Sequence, residues 1–249
     1  MFPKSISILF ALLFWVTGRG QNNVINQVDR YITADYKNMM SADESVRCDS
    51  LAGIFKKKLS ESLLNPITLK NTLDSLSEYI TIKGSEDGKV KFYSWDNECG
   101  GTWHTINSLV QFIKGKGDIG VQKLSTGNEM RDGGYSDCSY YEVHLVSINN
   151  SKIYITFSWG THGEGMEFVR IQAFKIVDNQ FKECKSCIEN KKDLVLEYKR
   201  GVKLNLRFNA TSNEITYNEF SKDEDQKFPQ FTGKLITLKL NETGFYKKQ

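Results

Sequence analysis

From Tyr79 to the C-terminus, the chain alternates short runs rich in Ile, Val, Phe, Tyr and Thr with turns built from Gly, Asn and Asp. Apolar residues recur in these runs with a period of two, which is typical of antiparallel strands. A parallel sheet needs long crossovers, usually helical, and no helical pattern separates the runs, so a parallel α/β fold is excluded. The pattern predicts strands over 79–83, 89–95, 102–112, 140–148, 152–159, 167–177, 194–199, 202–208, 214–218 and 233–240.

The residues before this region have the periodicity of helices. Apolar side chains recur at intervals of three and four over 23–40, which predicts an amphipathic helix. Ser41 followed by Glu44 has the form of a capping box and predicts the start of a second helix, which ends before Pro66. A weaker helical pattern follows over 69–76.

These patterns predict an α+β fold in which N-terminal helices pack on a large antiparallel β-sheet, a sandwich or a partly closed barrel. The expected organisation is a signal peptide over 1–20, a helical N-terminal segment over 21–78 and an antiparallel β-rich domain over 79–249.

The N-terminus carries the features of a secretory signal. Lys4 precedes an apolar run over 6–16, and small residues follow it, with expected cleavage after Gly18 or Gly20. The run is too short for a stable membrane span, and no later stretch is apolar enough to form one. We therefore expect a secreted or periplasmic protein with no membrane span after cleavage.

Charge and motifs exclude several function classes. The chain has 33 Lys and Arg against 30 Asp and Glu, a net charge of +3, which is too balanced for a dominating attraction to nucleic acid. The sequence has no Walker loop, no nucleophile elbow and no dinucleotide-binding glycine motif, so we predict neither a nucleotide nor another cofactor.

The chain has five cysteines, and the expected export permits disulfide bonds between them, because disulfides persist outside the reducing cytosol. Cys184 and Cys187 are expected to form a structural disulfide or to be surface thiols. A redox pair would begin a helix after a strand, and a zinc site would need a second pair of ligands. Cys99 and Cys138 lie in turns and form a second candidate pair, and Cys48 is expected to remain reduced.

Several strings resemble a group of uncharacterised secreted proteins from Gram-negative bacteria. The strings are Asp-Ser-Leu at 74–76, Ile-Thr-Ile at 80–82, Asp-Gly-Lys-Val-Lys-Phe-Tyr-Ser-Trp at 87–95 and Gly-Gly-Thr at 100–102, with further similarity over 168–176 and 213–220. The resemblance implies export and an antiparallel β-rich fold. It implies no catalytic residue and no specific function.

The sequence contains an internal similarity between 89–95 and 152–159, because each segment ends in Trp and precedes a glycine-rich turn. Two interpretations of these turns remain open. Aromatic side chains there form a candidate binding surface, with core packing as the competing explanation: Trp95, Trp103 and Trp159. Alternatively, His104, His162 and Glu164 converge on a metal or hydrolytic site, with ordinary turn hydrogen bonding as the competing explanation.

The favoured function is therefore a non-enzymatic binding or envelope-associated module, whose partner is a cell-envelope glycan or a protein. The alternative is a hydrolase or metal-dependent enzyme with its site at the two glycine-rich turns, around His104 and His162.

Overall fold

The computed structural model describes residues 5–124, 135, 137–222 and 225–248, with side chains from residue 23 onward. The chain divides into two compact units, Met1–Tyr79 and Ile80–Gln249. None of the helices in the described ranges is both long enough and apolar enough to cross a membrane.

The first unit is helical. Its elements are α1 (Ser5–Met40), α2 (Glu44–Val46), a π-helical turn (Arg47–Leu51), α3 (Ala52–Ser62), α4 (Pro66–Lys70) and α5 (Asp74–Ser77). The predicted capping role of Ser41 is wrong, because α1 extends to Met40 and leaves Ser41 in its last turn. The Ser41 amide donates to the carbonyl of Lys37 and its hydroxyl to that of Asn38.

A buried carboxylate organises the interior of this unit. Asp29 on α1 accepts hydrogen bonds from the amides of Ser75 (2.8 Å) and Leu76 (3.0 Å) at the start of α5. These amides have no partner within their own helix, and a carboxylate at a helix N-terminus also matches the helix dipole. Asp29 therefore replaces a local cap and ties α5 to α1.

The second unit contains thirteen strands in the described ranges. They are β1 (Thr81–Gly84), β2 (Val90–Asp96), β3 (Ile106–Ile113), β4 (Ile119–Lys123), β5 (Ser139–Ile148), β6 (Ser151–Gly163), β7 (Met166–Val177), β8 (Gln180–Glu183), β9 (Asp193–Lys199), β10 (Arg207–Asn209), β11 (Glu214–Ser221), β12 (Gln230–Leu240) and β13 (Phe245–Lys247). Every named pair of strands is antiparallel, so the predicted antiparallel, β-rich architecture is confirmed.

Of the three predicted alternatives, one large sheet, a sandwich or a partly closed barrel, the structure shows neither a single sheet nor a closed barrel, because the described strands form three sheets. The first contains β1 to β4, the central one β5 to β9 and the third β10 to β13. Both β8 and β9 pair with the same edge of β7, and the Cys184–Cys187 disulfide lies in the segment that joins them.

The central sheet is buried on both faces. One face packs against the first sheet through apolar side chains that include Phe92, Val110, Tyr154 and Phe174. The other face packs against the third sheet through side chains that include Ile155, Phe157, Ile171, Ile215 and Leu238. Polar residues in the middle of β6 and β7 are consequently shielded from water and need partners inside the protein.

Three short strands, β4, β8 and β13, were not predicted, and the expected strand over 202–208 is reduced to β10. The sequence around β4 contains Gly115, Gly117 and Gly120 and therefore has the composition of a turn. Gly120 nevertheless pairs with Phe112 of β3, and glycine is needed there because a side chain would collide with the Phe112 ring.

Candidate functional site

The two glycine-rich turns of the second unit lie side by side. The first joins β2 to β3 over 97–105, and the second joins β6 to β7 around Gly165. The amide of His104 donates to the hydroxyl of Thr161 at 2.8 Å. Arg200 contacts both turns, because its guanidinium donates to the carbonyl of Thr102 and its amide to that of Gly165. The structure thus brings together the two segments that the internal similarity singled out.

Glycine is required to shape the first turn. Gly100 has a φ of 95°, and a Cβ at this position would lie 2.6 Å from the carbonyl oxygen of Trp103. The amide of Trp103 donates to the carbonyl of Gly100, and both the amide and the hydroxyl of Thr105 donate to the carbonyl of Cys99. These bonds fix the backbone that presents Trp103 and His104.

Trp103, Tyr135, His162 and Phe168 form what we call the aromatic cluster. The His162 ring stacks on Trp103 with centroids 5.3 Å apart and an interplanar angle of 22°. Tyr135 lies 4.6 Å from the same imidazole, and Phe168 meets it edge-on at 5.5 Å. The Nε2 atom of His162 is shielded from solvent and has no hydrogen-bond partner among the described residues. The imidazole is therefore held by packing, which fixes the ring of Trp103 against a rigid support.

Tyr135 connects the aromatic cluster to a carboxylate. Its hydroxyl donates to Glu197 Oε1 at 2.8 Å. Burial, followed by the neighbouring Glu197 carboxylate, raises the pKa of Tyr135 to about 12, so the phenol stays protonated at neutral pH.

A buried polar network lies beneath Tyr135, between the first and central sheets. Arg170 on β7 places its Nε 2.5 Å from Asp193 Oδ2, its Nη2 3.6 Å from Glu183 Oε1 and its Nη1 3.2 Å from the carbonyl of Tyr135. Gln172 donates to Glu183 and accepts from the hydroxyl of Tyr140.

Sequence reasoning missed this network, although it left a signal. Thr156, Ser158, Arg170 and Gln172 are polar residues at alternate positions in the middle of two strands rich in apolar residues. They lie opposite one another in the β6–β7 pairing and therefore share one face.

His104 lies in a different environment from His162. Its Nδ1 is bonded to Asp96 Oδ2, and both side chains are about one-third exposed, at 35% and 28%. A carboxylate at Nδ1 favours the tautomer that carries its proton there and leaves Nε2 as the basic nitrogen. The His104 ring meets Trp159 edge-on at 6.3 Å.

The two histidines pack on opposite faces of β6. Phe168 contacts His162 and pairs with Gly160 of β6. Trp159, which contacts His104, is adjacent to Gly160 on β6, so the Trp159 side chain points to the opposite face. No group of three or more His, Cys, Asp or Glu residues in the described part of the chain is arranged to hold a metal ion. The geometry therefore does not gather His104, His162 and Glu164 into one ligand set, and Glu164 is exposed at its turn.

The three predicted surface tryptophans differ in exposure. Trp95 is only 2% exposed, and its indole N–H donates to Asn97 Oδ1 at 2.9 Å, so its assignment to a binding surface is wrong. It is a core residue because it lies on β2, where nearly every position is buried. Trp103 and Trp159 are half-buried residues.

The cysteines correct two further expectations. The Cys184–Cys187 disulfide is confirmed. Cys48 and Cys99 are each disulfide-bonded, so the expectation that Cys48 remains reduced is wrong. The Cys99–Cys138 pairing is also wrong, because Cys138 is a thiol buried between the first and central sheets, where burial raises its pKa.

A scan against protein-family models found no matching family, and searches of curated proteins and of solved structures found no significant match.

Proposed function

We propose that this protein is a secreted or periplasmic, non-enzymatic binding module whose ligand site is the surface formed by the two joined turns. The proposal depends on the packing of Trp103. Its indole ring stacks on the imidazole of His162, and Tyr135 and Phe168 contact the same imidazole. Half-buried, immobilised aromatic rings are typical of recognition surfaces, because they provide apolar contact area at low entropic cost. Export is supported by the signal-like N-terminus, and packing of the N-terminal helices on a sheet stays a prediction.

The polar groups around Trp103 favour a glycan as the ligand. Arg200 contacts both turns and its Nε lies 3.3 Å from Glu167 Oε1. Glu164 is exposed at the tip of the second turn. A sugar presents apolar C–H faces that can stack on an indole and hydroxyl groups that can bond to charged side chains. A site with one aromatic platform and a few charged groups around it meets both requirements.

Co-sedimentation of the full chain with purified cell-wall glycan tests this proposal. We expect Trp103→Ala to lower the affinity by at least about tenfold, because an aromatic anchor at the centre of a site typically contributes 2 kcal/mol or more. Phe231→Ala is the matched control, since Phe231 is an exposed aromatic residue on β12. Near-ultraviolet circular dichroism of each variant checks that the fold is kept. Equal binding by the two variants, or no binding by the unaltered chain, would overturn the glycan assignment.

One observation favours the alternative function of a hydrolase. The Asp96–His104 pair orients an imidazole whose Nε2 is the basic nitrogen, as a general base requires. The full chain and its His104→Gln variant can be compared on fluorogenic ester and glycoside substrates. Turnover that is lost in His104→Gln, with an unchanged melting temperature, would replace the binding-module proposal by the hydrolase.

A further inference from the structure

A cavity of about 520 Å³ lies at the end of the second unit opposite the joined turns. Strands β2 and β6 begin beside it and run away from it towards the turns, as their residue order shows. Its walls come from the β3–β4 turn, the β5–β6 hairpin and the ends of β2 and β7. The cavity is therefore a separate feature from the aromatic cluster.

Lysines dominate the polar lining of this cavity. Lys89, Lys114, Lys152 and Lys175 all contribute to its walls. Lys152 pairs with Asp87 at 3.0 Å. The other three lysines take part in none of the ion pairs found among the described residues. The site thus combines three positive charges that pair with no acidic side chain among the described residues, which favours an anionic ligand.

Hydrogen bonds brace the walls of the cavity. The amide of Gly115 in the β3–β4 turn donates to Asn179 Oδ1 in the β7–β8 turn at 2.9 Å. Asp87 accepts from Lys152 Nζ and, at 3.3 Å, from the hydroxyl of Tyr154. Burial acts to raise the pKa of Asp87, but hydrogen bonds led by that of Lys152 outweigh it and hold the pKa below its usual value. Asp87 is therefore ionised and holds Lys152 in the wall formed by the β5–β6 hairpin. Lys89, Lys114 and Lys175 are then the lysines that can bind a ligand in the cavity.

We propose that this cavity binds a phosphoryl group carried on a less polar body. Each lysine ammonium offers three N–H donors around a point charge, which suits the several equivalent oxygens of a phosphate dianion. The volume exceeds that of a lone phosphate and lies within the range of small-molecule sites. Ile113, Ile176 and Val177 form an apolar part of the wall against which the body of the ligand packs.

Titration calorimetry of the full chain with inorganic phosphate tests the charge recognition. We expect saturable binding that weakens at least about tenfold in Lys114→Gln/Lys175→Gln, because bonds to charged groups are the strong ones. Lys182→Gln is the matched control, since Lys182 is a nearby lysine that already pairs with Asp178 and does not line the cavity. The control should bind as the unaltered chain does, and the free proteins should share one melting temperature.

A second measurement distinguishes a lipid headgroup from a soluble phosphorylated ligand. The full chain is floated with phosphatidylcholine vesicles that do or do not contain phosphatidic acid. Lysine-dependent binding to the anionic vesicles assigns the site to a lipid headgroup, and binding of inorganic phosphate without vesicle binding assigns it to a soluble ligand. Absence of both, or equal losses in Lys182→Gln and in the double variant, would overturn the proposal. Trp103→Ala should leave phosphate binding unchanged, so failure of the glycan proposal would be seen separately.

Discussion

Replacing Arg170 by methionine should lower the free energy of unfolding of the second unit by about 3–5 kcal/mol, which is typical when one partner of a buried ion pair is removed. The Arg170 side chain is only 7% exposed and bonds to Asp193, Glu183 and the carbonyl of Tyr135. Methionine fills much of the same volume without a charge, so Asp193 would remain in the interior without its cation. For a unit of this size, the loss corresponds to a fall in melting temperature of about 6–20 °C.

Urea unfolding followed by tryptophan fluorescence measures this effect, because three of the four tryptophans lie in the second unit. Lys182→Met is the matched control, since it breaks a pair with Asp178 whose side chains are 43% and 76% exposed. Such surface pairs typically contribute about 0.2–1 kcal/mol. Adding Asp193→Asn to Arg170→Met should recover part of the loss, because it removes the uncompensated charge. A loss below about 1 kcal/mol in Arg170→Met would refute the argument that this network is dry and tightly paired.

Three further outcomes follow from local geometry. Gly160→Ala should cost about 1–3 kcal/mol in thermal unfolding, because a Cβ there would lie 2.7 Å from the carbonyl oxygen of Asp137; Gly53→Ala, with open space on α3, should instead stabilise by up to about 1 kcal/mol. Cys138 should not react with Ellman's reagent in the native chain and should give one thiol per chain in denaturant, and immediate native reaction would contradict its burial. The pKa of Asp87 is lower in the folded chain than its unfolded value of 3.8, so its contribution to stability is present above pH 3.8 and is lost as the pH falls through the folded pKa. In urea titrations, Asp87→Asn should therefore lose less stability between pH 5 and 3 than the unaltered chain. An unchanged pH dependence would argue against the pair with Lys152.

The strands that the sequence predicts best are the ones whose side chains fill the interior. β6 and β7 are long and rich in β-branched and aromatic residues, so local composition suffices to recognise them. β8 and β13 have four and three residues, too few for a period to be visible. Their strand geometry comes from pairing with β7 and β12, which are already in place.

The division into three sheets could not be predicted from the same pattern. A period of two tells which residues belong to a strand, but not which strand pairs with which. β7 pairs with β6 on one edge and with both β8 and β9 on the other. This arrangement depends on where the chain turns between Glu183 and Asp193, a segment that contains the Cys184–Cys187 disulfide and pairs through Ile188 with the distant Phe245.

The candidate site shows the same division between local and long-range information. The sequence drew attention to the turns around Trp103 and His162, because glycine-rich turns after aromatic strands are visible as a local pattern. The sequence could not predict that His104 and His162 pack on opposite faces of β6. The β6–β7 pairing shifts register between Thr161 and Gly163, and this irregularity lies at His162 itself. A shift of one residue reverses the face to which a side chain points, so pairing rather than composition decides whether two residues can share a ligand.

Directed polar bonds run through the interior between the two proposed sites. β2 and β6 extend from the lysine-lined cavity at one end to the joined turns at the other. The network around Arg170 links β7 to β9, and the hydroxyl of Ser108 bonds both to Ser94 and to the carbonyl of Cys138, which connects the first sheet to the start of β5. Buried polar bonds of this kind have defined directions, whereas apolar contacts tolerate sliding, so they hold the sheets in one register. Such an interior suits preformed binding surfaces, because the cost of ordering each surface is met when the chain folds rather than when the ligand arrives.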